Sequence, residues 1–91
     1  MLRITTRDYS GNKTVLFLEG KIFQEWAKEL QAEVEKGIKK GKKIVLDFSK
    51  VSYLDEEAAK RINQFPLQKV EKRNCSLFIR TMLGMENRGE E

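Results

Sequence analysis

Lys43-Ile44-Val45-Leu46-Asp47-Phe48-Ser49-Lys50-Val51-Ser52-Tyr53-Leu54-Asp55 is the stretch from which the rest of the chain can be read. Residues 43–49 form an apolar, β-branched run between a basic loop and a turn, which predicts a central strand. Residues 50–54 read as the connection out of it. Asp55 is a good N-cap, and Glu56 and Glu57 fall in the first turn of the helix it opens, so all three carboxylates suit the positive end of the helix dipole. Ala58, Ile62 and Phe65 form the inward stripe of that helix. Pro66 lacks an amide donor and clashes one turn back. The helix is therefore expected to kink or restart there, with Leu67 and Val70 on a short second piece.

Upstream, Leu2, Ile4 and Thr6 alternate with Arg3, Thr5 and Arg7, the period-two pattern of a strand with one wet face. Asp8-Tyr9-Ser10-Gly11-Asn12 supplies turn chemistry. Residues 14–19 follow as a second strand, apolar enough to be buried on both faces, with Gly20 ending it. From Ile22 to Ile38 the period becomes helical: Ile22, Trp26, Leu30, Val34 and Ile38 drift by only about 40° per step, and Phe23 and Ala27 share their arc. Gly41 marks the C-cap region of this helix.

Downstream, residues 75–80, Cys75 to Arg80, read as a fourth strand, and residues 81–91 as a short tail with too few apolar positions for a helix. The order is thus β-β-α-β-α-β over a single domain of residues 1–80. The β-α-β steps imply parallel neighbours, with the first strand joining in mixed orientation.

Composition narrows the chemistry. The 91 residues include no His, so the commonest general base and metal ligand is missing. A lone cysteine, Cys75, allows neither an internal disulfide nor a thiolate cage, and as the opening residue of a strand it reads as a small buried hydrophobe. No phosphate-loop pattern occurs, and Ser or Cys nucleophiles have no His partner. No catalytic residues, cofactor or metal are expected. With neither a signal peptide nor a run of about 20 apolar residues, the chain reads as cytoplasmic.

With Gly20 closing a strand before an amphipathic helix, the chain over about residues 2–80, and above all residues 43–58, resembles the STAS domain of bacterial anti-sigma-factor antagonists and sulfate-transporter tails. The family pattern is a hydrophobic strand ending in Asp-Leu-Ser, then an apolar pair and Asp-Ser-Ser/Thr-Gly opening a helix. The resemblance implies an α/β fold with a four-stranded mixed sheet and two main helices, the family's C-terminal helix being shortened or missing here. It also implies a role in protein–protein interaction rather than catalysis. In the antagonists the second residue after that Asp is a Ser or Thr phosphorylated by a partner kinase. Glu57 occupies the position here, with Glu56 beside it and Ala58 in place of Gly. A carboxylate cannot accept the phosphate, yet the pair carries charge close to that of a phosphoserine. Glu57 is thus a phosphosite equivalent that either mimics phosphorylation or simply caps the helix.

Since both helices begin at one end of the sheet, the expected partner-binding face comprises Leu54, Asp55, Glu56, Glu57 and Lys60, with Lys21, Ile22 and Phe23 nearby. The partner implied by the resemblance is an anti-sigma-type kinase, a regulator or, alternatively, a membrane-transporter subunit. A homodimer would cover apolar surface left by the short C-terminus. The acidic trio is a poor cation site, because consecutive residues at a helix start diverge and no Asp/Asn/Gly loop surrounds them.

Nucleic acid is the alternative from another class. The formal charge is +4, but by segment it is −1 for residues 1–35, +5 for 36–43, −3 for 44–59, +4 for 60–73 and −1 for 74–91. That distribution predicts a basic end and an acidic end. Single-strand binding also requires aromatics on the basic surface. Phe17, Phe48 and Phe78 are expected inside core strands, and Trp26 on the apolar helix face, which counts against it.

Overall fold

A computed structural model describes residues 2–85. Four strands, β1 (Leu2–Tyr9), β2 (Lys13–Ile22), β3 (Lys43–Leu54) and β4 (Val70–Arg73), form one sheet in that order. Three helices, α1 (Gln24–Lys39), α2 (Glu56–Ile62) and α3 (Leu77–Met82), are the other elements among the described residues. β1 runs antiparallel to β2, while β2–β3 and β3–β4 are parallel. The expected mixed sheet, element order and central position of β3 are all present.

The core lies on one face of the sheet. Leu16 and Leu18 from β2 and Ile44, Leu46 and Phe48 from β3 meet Ala27, Leu30 and Val34 of α1, Ala58 and Ile62 of α2, and Ile79 of α3. Trp26 and Ile38, at the margins of the helical arc, are only partly buried against it. Gly37 lets α1 approach β3, since a Cβ there would collide with Cδ1 of Ile44. Past Lys40 the helix closes in a Schellman turn, in which Gly41 donates to Ile38 and Lys42 donates to Gly37, with Gly41 at φ 75°.

Several sequence expectations are corrected. Gly20 does not end β2, which runs on to Ile22, so Ile22 belongs to the strand and α1 starts only at Gln24. β2 is not buried on both faces: all the helices that pack on the sheet share the core side, and Phe17 and Glu19 point to solvent opposite. β3 does not stop at Ser49. The register passes from Phe17↔Asp47 to Glu19↔Lys50, and from Gly20↔Val51 to Lys21↔Tyr53, so β3 carries an extra residue at each shift. Those bulges bring Phe48, Val51 and Leu54 inward at every third position, a spacing that period-two reading discards.

The second half departs further. α2 ends at Ile62, four residues before Pro66, and no second helical piece follows. Pro66 instead opens a turn that accepts from Lys69 and Val70, placing Leu67 in solvent and Val70 in β4. The fourth strand is therefore not at residues 75–80. Asn74, at φ 61°, breaks β4, and Ser76 accepts from the Ile79 amide to start α3. Cys75, Ile79 and Leu83, each four apart, are the positions α3 and its flanks turn toward the core. A short C-terminal helix therefore exists, beginning earlier than residue 81; residues 86–91 of the expected tail lie outside the described residues.

Candidate functional site

The acidic end of the sheet is organised by Asp55. One carboxylate oxygen accepts the Ala58 amide at 2.8 Å and the other the Gln24 amide at 3.3 Å. The N-cap of α1 is Phe23, whose side chain supplies no acceptor, so Asp55 caps α1 across the fold as well as α2 along the chain. Its own amide donates to Ile22 O, which locks the end of β3 beside the end of β2. Both carboxylate oxygens are thus engaged by helix termini.

Glu56 and Glu57 stand exposed on the first turn of α2, and Glu57 lies 3.7 Å from Lys60 one turn on. Among the described residues no cluster of His, Cys, Asp and Glu is arranged to hold a metal ion. What the end presents is two solvated carboxylates and a lysine at a helix start.

Beside them runs an aromatic ladder of which the sequence points only to Phe23. The Phe23 ring lies 5.6 Å from Tyr53, and Tyr53 is stacked on Phe78 at 5.8 Å. Tyr53 and Phe78 are 38% and 44% exposed, and the neighbouring Leu77 is 72% exposed. Tyr53 was concealed because residues 50–54 read as a connection, and Phe78 because residues 75–80 read as a core strand. The signal available for Phe78 was the Ser76 cap with Ile79 and Leu83 spaced as on a helix.

Of the expected partner-binding residues, Asp55, Glu56, Glu57, Lys60, Lys21 and Phe23 are at least partly accessible at or near this end. Ile22 and Leu54 are not: both are fully buried and support the surface from beneath. Asp47 lies further down β3, where it accepts from the Ser49 amide at 2.9 Å and from Asn74 at 3.0 Å, tying the first bulge to the β4–α3 turn. Burial alone would raise its carboxyl, but those hydrogen bonds and nearby Arg73 outweigh it and hold the pKa below the ordinary value. Burial pushes the Cys75 thiol up, away from the reactive thiolate.

At the opposite end, Lys36, Lys40 and Lys42 flank a small pocket beneath β1, and Lys42 sits 3.3 Å from Asp8. The hydrogen bond from Thr14, followed by Lys42, holds the Asp8 carboxyl below its usual range. The β3 strand, starting at Lys43 and ending at Leu54, separates the basic end from the acidic one. No helix among the described residues is long and apolar enough to cross a membrane.

Comparison with known proteins agrees with this architecture. The family model described as the STAS domain matches residues 3–85. Among solved structures, the anti-sigma factor antagonist SpoIIAA in its unphosphorylated form superposes with a TM-score of 0.72 at 14% identity, over 90% of this chain and 82% of that one. An antisigma-factor antagonist STAS domain from Rhodobacter sphaeroides gives a TM-score of 0.59 at 16% identity, over 86% and 95% of the two chains. At such identities the likeness is one of fold. None of the curated proteins compared with the chain matches it.

Proposed function

The chain belongs to the STAS domain family, and from that premise we propose that it is a non-enzymatic protein-interaction module whose docking face is the end of the sheet where α1 and α2 begin. The observation that carries the reading is the juxtaposition of the exposed Glu56 and Glu57 with the Phe23–Tyr53–Phe78 ladder. Apolar rings rimmed by charge are what a partner buries at the centre of an interface while the rim sets its orientation. The family's phosphoacceptor position falls on Glu57, so the face carries standing negative charge where relatives of the antagonist type are switched. A partner fitted to it has an apolar anchor flanked by basic groups, as an anti-sigma-type kinase or a related regulator would offer.

The test uses Glu57→Ser and Phe78→Asp side by side with a panel of anti-sigma-type serine kinases. Phosphate incorporated at the introduced hydroxyl of Glu57→Ser, together with partner binding lost in Phe78→Asp, is the expected result. No phosphate on the first variant and undiminished binding by the second would remove the reading.

A further inference from the structure

The face of the sheet away from the helices holds what the sequence did not promise: aromatic rings among cations. Arg3, Arg7 and Tyr9 of β1 alternate with inward residues, and they register against Glu19, Val15 and Lys13 of β2. Val45 and Asp47 of β3 continue the rows to Glu71 and Arg73 of β4. Phe17, opposite Thr5, is 36% exposed in the middle of this face, and Tyr9 is 45% exposed at its edge.

Two shallow grooves divide the surface. One, of about 320 Å³, brings Phe17 together with Arg7 and Lys50, with the carboxylate of Glu19 also on its lining; the other, of about 310 Å³, brings Tyr9 together with Lys13 and Arg73. Each is therefore a half-exposed ring flanked by two cations. Arg7, Lys13 and Lys50 have no carboxylate within 4.0 Å among the described residues. The acids on this face are Glu19, which is 4.0 Å from Arg3, Glu71, which lies between Lys43 and Arg73, and Asp47, which is buried. Cationic side chains outnumber them.

We propose that this open face binds single-stranded nucleic acid, with one base on Phe17, another on Tyr9, and the backbone running past Arg7, Lys13 and Lys50. Base stacking on aromatic rings needs an accessible ring face, and phosphates need unpaired cations beside it; among the described residues the Phe17 groove offers Arg7 and Lys50, and the Tyr9 groove offers Lys13, while its Arg73 lies 3.8 Å from Glu71. The rings stand roughly 14 Å apart, four residues along β2 and one strand across, so an extended strand can seat a base on each. A duplex is disfavoured, because a flat sheet face offers no element to enter a groove. A lipid surface is disfavoured too, because Val15 and Val45 are sunk beneath the charged side chains at 2% and 0% exposure. The inference rests on the open face alone and stands or falls independently of the acidic end.

The experiment is fluorescence anisotropy of a labelled 12-nucleotide oligo-dT with the whole chain, repeated from 20 to 200 mM salt. Binding that weakens linearly in log salt is expected. Phe17→Leu, which keeps an apolar group but removes the ring, and Arg7→Glu should each weaken it about tenfold. Lys28→Glu makes the same charge change on the exposed side of α1 and should alter affinity less than twofold. Circular dichroism melts establish that each variant is folded. Three results would overturn the proposal: no binding at 20 mM salt, equal losses from Arg7→Glu and Lys28→Glu, or preference for a duplex or for vesicles of 30% phosphatidylserine over oligo-dT.

Discussion

The carboxylate of Asp55 lies 3.3 Å from the backbone nitrogen of Gln24, a residue 31 positions earlier, while capping its own helix through Ala58. One side chain thereby fixes the starts of both helices that frame the acidic end. Removing it strips a cap from each. Asp55→Ala should cost about 2–3 kcal/mol, roughly two ordinary N-caps, and Asp55→Ser about half as much because it retains the local acceptor. Urea denaturation with an unchanged m-value checks this; a loss equal to one cap would show that the contact to α1 contributes nothing.

Asp47 makes stability depend on pH in a defined direction. Its folded pKa lies below the ordinary 3.8, so the folded state favours the charged form. The resulting stabilisation is complete above that ordinary value and is lost as pH falls through the folded pKa. Wild type should exceed Asp47→Asn by about 1–2 kcal/mol at pH 6, and the gap should shrink towards pH 3. A gap that stays constant or widens on acidification would contradict the hydrogen-bond assignment.

Gly37 and Ile44 should couple. In the wild-type background Gly37→Ala gains helix propensity but drives its methyl into Cδ1 of Ile44, a fully buried side chain that must shift to admit it. Ile44→Val removes that atom at a cost of about 1 kcal/mol. In that background Gly37→Ala should become stabilising, by up to about 1 kcal/mol. Independent, additive effects in the double-mutant cycle would mean that the close approach is not limiting.

The aromatic ladder should separate binding from stability. Leu77→Ser and Phe78→Ser alter side chains that are 72% and 44% exposed, so the first should shift stability by less than about 0.5 kcal/mol and the second by about 1 kcal/mol at most. Both should reduce retention of a partner that docks at the acidic end. Large stability losses with partner retention intact would mark the ladder as part of the core.

What could be read in advance follows from how local each signal is. The α1 arc from Trp26 to Ile38 and the Asp55 cap are written within a few residues of themselves, and both stand, although Ile22 and Phe23 fall before the helix. So does the position of β3 at the centre of the sheet. β4 was invisible because an edge strand reading Val70-Glu71-Lys72-Arg73 has a single buried position, so no alternation marks it. Leu77-Phe78-Ile79 looked like a strand because three consecutive apolar residues carry no period; only Ile79 points inward. The second role of Asp55 and the ring stack of Tyr53 on Phe78 arise from chain segments brought together by the sheet. No local pattern encodes them. Likewise, the exposure of Phe17 depends on which face the helices choose, which composition does not reveal.

The two extra residues in β3 set a limit on how this chain can change length. Side chains on a strand alternate, so losing one residue at Ser49 or Lys50 would turn Val51 and Leu54 outward and carry Asp55 away from Gln24. Hairpin and helix-connecting loops can absorb insertions over evolutionary time, because their ends are held by separate elements. The span from Asp47 to Asp55 cannot: each added or missing residue trades the inside of the molecule for its outside. Descendants and relatives with the same double clamp should therefore keep this eight-step interval free of gaps while the loops around it vary.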